Sequence, residues 1–464
     1  MAAQAHSLTP MDRRVQLRLE AIRRLMRKGA VVNLRRIVEK THPADLAAIF
    51  QALNDLEQGR MFQILVQAGL AGDVLSELDP DVLQGLVESL SDEELAEILS
   101  SMDADDAADL LALLPEDRRS GILAAMNLED SEDIGKLLGY PEDSAGGIMT
   151  SSFFALGEGV AVEEAVRAIQ GAEEAETVFY VYVVDDEGRL VGVVSLRQLI
   201  TSPPTATLRQ IMATDVIKVD VHTDQEQVAR LVAKYDLLAI PVVDEAEHLV
   251  GIITVDDVID VLREEATEDV FKMAGTSQEE LVYGNQVLPI VRIRMPWLVI
   301  NLFGGILTGT ILWWFRATVE EIIALVSFVP VITAMGGNVG TQSSSILVRA
   351  FATGRVDFQN LRAHLWKEVR VGLLLGLVCG LLVGGVALVW HRNVFLGVVV
   401  AVSMVSAMTV AATMGTLAPA LFRKLEIDPA VASGPFVTTA NDITGILIYL
   451  GTATALLRFL PHVR

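Results

Sequence analysis

The sequence predicts a multidomain membrane protein: a cytosolic α-helical superhelix, a pair of α/β repeats, an acidic connecting helix and a five-helix transmembrane domain. Three observations carry this prediction. The charge divides sharply along the chain, a segment repeats without gaps, and five long apolar stretches fill the last third.

The 464 residues are 52% hydrophobic, high for a soluble chain, and the apolar excess is localised. Residues 1–285 carry 53 Asp and Glu against 23 Lys and Arg, while residues 286–464 carry 7 against 13. Residues 1–40 are basic, with 10 Lys and Arg against 3 Asp and Glu, which leaves 13 basic and 50 acidic side chains in 41–285. A carboxylate surface of that density repels nucleic acid and anionic lipid and attracts cations. The single cysteine, Cys379, lies in an apolar stretch, so an intrachain disulfide is excluded and thiolate metal sites are disfavoured.

Arg13, Arg14, Arg18, Arg23, Arg24 and Arg27 break up the amino terminus, so it lacks the apolar run of a signal peptide and the first half is expected in the cytosol. The basic segment 1–40 reads as an amphipathic helix that is solvated or touches anionic lipid. From 41 to 144 the pattern is short helices broken by acidic or proline turns, as at His42-Pro43, Asp79-Pro80-Asp81 and Leu114-Pro115-Glu116. That pattern predicts a helical superhelix.

The 23 residues from Val178 to Ile200 align without gaps on 237–259, each copy reading strand, turn, strand, helix. Ile148-Met149-Thr150 and Ile211-Met212-Ala213 precede the two copies. Residues 145–255 therefore resemble a tandem pair of CBS domains, which implies ligand sensing without chemistry. Residues 256–284 form the acidic link to the membrane domain, 285–464.

Apolar stretches near 295–315, 322–348, 369–389, 394–422 and 430–457 are long enough to cross a hydrocarbon core of about 30 Å. Arg292, Arg294, Arg349, Arg355, Arg362, Lys367, Arg370, Arg423 and Lys424 fall on one side of these spans; Arg316, Arg392, Arg458 and Arg464 fall on the other. The positive side is read as cytosolic, which puts the amino terminus inside and the carboxyl terminus outside a cell membrane, inner or plasma.

Asp442 lies near the middle of the fifth span without a basic neighbour in it, so its carboxylate calls for a watery path or a cation. Gly434, Thr438, Asn441, Asp442 and Gly445 share one small, polar face at helical spacing. In a symmetric dimer, two such faces would meet around an axis. A protonated aspartate packed on a neighbouring helix is the plainer reading, and the accompanying polar stripe weighs against it. The second span carries Gly336-Gly337-Asn338-Val339-Gly340-Thr341-Gln342 followed by three serines, a run that suits a permeation lining or close helix packing. Asn338 and Gln342 favour the lining. Mg2+ dehydrates reluctantly, so a few carboxylate, Asn and Thr oxygens facing a hydrated ion suit it, while Ca2+, Mn2+ and Co2+ stay open.

The run from Asp256 to Asp269 is a strongly acidic helix with positions 257, 260, 264 and 268 on one face and only Arg263 and Lys272 near to compensate. It reads as a solvated acidic face or a divalent-ion site, and its place as the link between sensor and spans favours the ion. Thr254-Val255-Asp256-Asp257 fits a Thr-x-x-Asp pattern that holds a nucleotide ribose in some CBS copies, whereas the first copy has Ser195-Leu196-Arg197-Gln198. Thr254 and Arg197 are thus the candidates for binding ATP or another nucleotide.

The acidic helical domain, Tyr140-Pro141-Glu142-Asp143-Ser144-Ala145-Gly146-Gly147-Ile148-Met149-Thr150, the CBS pair, the acidic helix and five spans with Pro330 before the Gly336–Gln342 motif together resemble the MgtE family of magnesium channels. The resemblance covers nearly the whole chain. It implies a homodimer with an ion path on its two-fold axis, closed by the connecting "plug" helix when cytosolic Mg2+ is high. It assigns the selectivity carboxylate to Asp442 and a cytosolic-mouth ligand to Asp428. It places sensor carboxylates at Asp257, Asp260, Glu265, Glu268 and Asp269, at Asp224, Glu226 and Asp236 in the second CBS copy, and at Asp105, Asp109 and Asp73 in the helical domain. Gly434 stands where some relatives have a pore-lining asparagine, and Gln198 lacks the acid that would support ATP. The expectation is a Mg2+-selective uptake channel without enzymatic activity, no nucleophile–base pair or phosphate loop being found. The alternatives are a carrier for divalent cations and a membrane-anchored nucleotide sensor.

Overall fold

The computed structural model describes residues 10–459 apart from 79, 88, 172–178, 283–285 and 433, so Asp79, Val178 and Arg464 lie outside the described residues. The chain divides into two compact units, Met1–Leu262 and Arg263–Arg464.

In the first unit, ten helices run from Pro10 to Leu137. Their starts are set by side chains: Asn54 with Glu57 and Ser91 with Glu94 form reciprocal capping boxes, each satisfying two backbone N–H groups that the helix leaves without partners. The basic helix Pro10–Arg27 is neither free nor lipid-facing along its inner side. Ile22 is fully buried in the same core as Leu46, Phe50 and Leu65. Arg18 bonds Asp45 at 2.7 Å, and Arg23 donates to the Ala52 carbonyl at 2.6 Å.

The repeat folds as two matching three-stranded sheets, β1 (Ala155–Gly157), β2 (Tyr180–Val184), β3 (Leu190–Ser195) and β4 (Val219–Asp220), β5 (Ala239–Val243), β6 (Leu249–Thr254). In each, the first strand pairs parallel and the last antiparallel to the middle one, with a register shift at Val183/Val184 and again at Val242/Val243. The lead segments cross between copies: Thr150 pairs with Ile252 of the second sheet, and Ala213 with Val193 of the first. Gly251 and Gly192 make the crossing possible. A Cβ at Gly251 would lie 2.6 Å from the Met149 sulfur and 2.9 Å from the Thr150 carbonyl oxygen; one at Gly192 would lie 2.5 Å from the Met212 sulfur. Overpacking of this kind costs about 1–3 kcal/mol. Gly251→Val is therefore expected to lower the melting temperature of the protein, read by circular dichroism, with the loss confined to the cytosolic unit.

Among the described residues of the second unit, five helical segments are long and apolar enough to cross a membrane: Val287–Trp314, Ile323–Ala352, Leu361–His391, Val394–Lys424 and Pro429–Leu457. The fourth is central, packing on the second, third and fifth, and the first packs on the fifth. Lipid offers no hydrophobic drive between helices, so small residues set their approach. On the third span Gly372, Gly376, Gly380 and Gly384 recur every four residues against the fourth. A Cβ at any of them would come within 3 Å of Met408, Ala412, Val405, Ala401 or Gly397 atoms. The tightest backbone meeting between two spans joins the second and fourth, where a Cβ at Gly415 would lie 2.2 Å from the Gly340 carbonyl oxygen.

Candidate functional site

Asp442 is half-buried on the fifth-span helix Pro435–Phe459. The polar stripe read from the sequence divides at this point, because residues 441 and 442 lie about 100° apart around a helix. Thr438 and Asn441 turn toward the second span of the same chain. The Thr438 and Thr341 hydroxyls are 3.5 Å apart, and a Cβ at Gly340 would fall 1.8 Å from the Asn441 amide nitrogen. Asn441 is 1% exposed, yet neither Oδ1 nor Nδ2 has a hydrogen-bond partner among the described residues. A buried amide left unsatisfied costs about 1–3 kcal/mol, so this position demands water, an ion or another polar group. Asn338 and Gln342 are exposed on this chain. Thr439 donates to Asn301 Oδ1 at 2.8 Å and ties the first span to the fifth.

Glu368 is a buried carboxylate that the sequence reading missed. It is 4% exposed, accepts from the Ser343 hydroxyl at 2.9 Å and lies on the third-span helix, one residue before the apolar stretch read from the sequence begins.

Asp428 precedes the fifth-span helix. Its Oδ1 accepts from Ala430 N–H at 2.8 Å and its Oδ2 from the Lys272 ammonium at 2.6 Å. Lys272 also meets Glu268 at 2.6 Å. Burial works against the Lys272 charge, but the bonds to Asp428 and Glu268 outweigh it and hold the ammonium above its ordinary pKa. Gly434 packs against the end of the connecting helix Val255–Ala274, where a Cβ would lie 2.1 Å from the Met273 carbonyl oxygen. In this arrangement the glycine is where the connecting helix docks, and a side chain there does not fit.

In the first unit the acidic start of the connecting helix lies near the start of the helix Ala104–Ala112. Burial, then the charges of Asp103 and Asp257, push Asp106 up to about 6, against a lowering hydrogen bond with Ser76. Asp103 is raised by burial and by Asp73 and Asp256; Asp257 is raised by burial, with Asp256 and Asp260 adding to it and the hydrogen bond from Thr254 opposing. Asp103 and Asp106 thus have raised pKa values beside Asp105 and Asp109 of the same helical segment. The other sensor candidates have local roles. Asp224 caps its helix by accepting from Glu226 N–H at 3.0 Å, Glu226 pairs with Arg230, and Asp236 ends that helix with φ 52°. Asp260 is exposed, and Glu265 and Asp269 are half-buried on the connecting helix. No group of three or more His, Cys, Asp or Glu among the described residues is placed to hold a metal ion.

The Thr254 hydroxyl, on a residue 2% exposed, donates to Asp257 at 2.6 Å, and Ser195 with Gln198 forms the matching capping box in the first copy, beside an exposed Arg197. Both copies use this position to start a helix.

Asp103, Asp106 and Asp257 have folded-state pKa values above the ordinary carboxylate range, so their ionisation opposes folding. For Asp106 that cost is full above about pH 6 and fades as pH falls toward 4, and Asp103 and Asp257 act in the same direction. A two-unit shift is worth about 3 kcal/mol, on the order of 2 after solvent screening. In chelator, the cytosolic unit is expected to melt at higher temperature at pH 5 than at pH 7.5. Asp106→Asn should remove most of the difference.

Three family descriptions match: an MgtE intracellular N domain at 41–143, CBS domains at 145–203 and 208–264, and MgtE, a divalent cation transporter, at 329–452. The chain is 40% identical over 453 residues to the magnesium transporter MgtE of Thermus thermophilus, covering 94% of this chain and 98% of that one. It is 35% identical over 437 residues to the magnesium transporter MgtE of Bacillus subtilis, covering 94% and 96%. A crystal structure of the soluble part of a magnesium transporter aligns with a TM-score of 0.51 at 31% identity, covering 54% of this chain and 99% of that one. With the helical domain, the CBS pair and the five spans matched in order over nearly the whole length, the chain belongs to the MgtE family of divalent cation transporters.

Proposed function

We propose that this chain forms, as a homodimer, a Mg2+-selective uptake channel in the cell membrane that cytosolic Mg2+ closes. Asp442 supplies the selecting carboxylate, and the names of its relatives supply the ion. The observation that carries the reading is the half-buried Asp442 carboxylate beside the buried, unpartnered amide of Asn441 in the fifth span. Neither group is stable in a dry bilayer, and a hydrated divalent cation satisfies both. The path runs along the two-fold axis, and the exposed Asn338 and Gln342 of each chain line it.

The regulatory half works by charge. When cytosolic Mg2+ is scarce, the carboxylates around Asp103, Asp106 and Asp257 repel; ions between them relieve the repulsion and draw the domains together. Two unit charges about 4 Å apart at an effective dielectric near 20 interact by roughly 4 kcal/mol, so a few such contacts shift a two-state gate. The connecting helix carries that change to the mouth at Asp428. The amino terminus is cytosolic and the carboxyl terminus outside.

Growth of a cell lacking its own Mg2+ uptake tests the reading. The wild-type chain should restore growth at low external Mg2+, and Asp442→Ala should not. Rescue by both would show that the ion path does not depend on Asp442, and rescue by neither would leave the spans an anchor. Limited proteolysis of 41–285 should slow on going from chelator to millimolar Mg2+, and an unchanged pattern would remove the charge latch.

A further inference from the structure

Lys272 places a positive charge where a divalent ion would otherwise join two carboxylates. Its Nζ lies 2.6 Å from Glu268 Oε1 on the same helix and 2.6 Å from Asp428 Oδ2, 156 residues further on, at the start of the fifth span. The residues on either side of this contact are packed without slack. Gly434 leaves no room for a Cβ beside the Met273 carbonyl, and a Cβ at Gly275 would lie 2.8 Å from Pro435. The side chains of Lys272 and Asp428 are 27% and 35% exposed, so water weakens the pair without abolishing it. Both carboxylates keep lone pairs for a metal, but an ammonium already neutralises part of their charge.

We propose that Lys272 is a tethered cation that holds the end of the connecting helix on Asp428 without any metal, so that closure of the mouth does not depend on Mg2+ alone. Removing the ammonium leaves Glu268 and Asp428 facing each other as like charges. The docked state then loses its metal-free hold and gains a vacancy that suits Mg2+. The lysine thus sets how much of the gate's closure follows cytosolic Mg2+. This inference rests on the channel reading above.

The test uses the full chain, with Cys379→Ala and spin labels at Val270 and Leu425, both exposed on the same unit. In chelator, the wild-type background should give one narrow distance distribution. Lys272→Met should broaden it, and millimolar Mg2+ should narrow it again. Lys272→Arg, which keeps the charge, should match wild type. In proteoliposomes with chelator on the cytosolic side, Lys272→Met should raise Mg2+ flux roughly two- to fivefold, as expected for one partly exposed charge pair. Distances and flux of Lys272→Met that equal wild type in chelator would overturn the proposal. So would a Lys272→Arg that behaves like Lys272→Met. A wild type without Mg2+ flux would instead overturn the channel reading, leaving the distance measurement to judge the latch alone.

Discussion

Asp442→Asn is expected to reduce Mg2+ flux into proteoliposomes at least tenfold while leaving the protein folded. Asparagine keeps the shape of the half-buried side chain and removes only its charge. A divalent cation about 4 Å from a carboxylate gains roughly 8 kcal/mol at an effective dielectric near 20, twice the value for two unit charges. Much of that offsets the hydration the ion gives up, but each 1.4 kcal/mol that survives is about tenfold in rate or occupancy. A mag-fura signal from reconstituted vesicles reads the loss directly. Flux within twofold of wild type would show that the carboxylate does not face the ions. Asn441→Leu provides a second check, since it fills the same buried position and removes both unsatisfied polar atoms. If the amide serves the path, flux falls; if it is only a packing element, flux is kept.

The second large effect is expected at Gly434. A Cβ there would be 2.1 Å from the Met273 carbonyl oxygen, a backbone atom that no side-chain rotation can move aside. Gly434→Ala should therefore prevent the connecting helix from docking on the start of the fifth span, and transport should persist when cytosolic Mg2+ is raised to levels that close the wild type. In chelator the flux should rise as well, at least as far as in Lys272→Met, because the same docking contact is lost. The same geometry accounts for a glycine at position 434. In this chain the space is taken by the connecting helix, so a coordinating side chain has no place in the docked arrangement. Asp428 and Lys272, on either side of the same junction, are 2.6 Å apart.

Large features of the fold were legible because each has a period or a length that a sequence displays openly. Five spans are legible, their bounds within four residues except that the first and third helices begin eight residues earlier, and the repeat predicts two sheets of the same pattern, which the structure extends to a register shift in each. Contacts between elements were not legible. The lead segments of the CBS copies cross to the opposite sheet, and only the glycines at 192 and 251, each facing a methionine of the other lead, hint at it afterwards. The polar stripe of the fifth span was grouped by spacing alone, yet Asn441 turns inward because Gly340 makes room for it, while Asp442 does not follow. Resemblance assigned Asp105 and Asp109 to the sensor. The structure adds Asp103 and Asp106, which lie close enough to Asp256 and Asp257 to feel their charge. Glu368 escaped notice because it stands at the edge of an apolar stretch, where a carboxylate reads as a flank; its bond with Ser343 places it inside. Lys272 had a visible signal, as one of only two basic residues near a long acidic helix, but its second partner lies 156 residues away.

The account turns on whether a water-filled route past Asp442 carries Mg2+ and is closed from the cytosolic side. Purified protein in a planar bilayer, with Mg2+ as the sole permeant cation, measures this most directly. The account predicts unitary currents whose amplitude keeps rising with the gradient and whose open time falls as cytosolic Mg2+ is raised. Uptake that saturates at modest gradients without resolvable currents, or currents indifferent to Asp442→Asn, would contradict it.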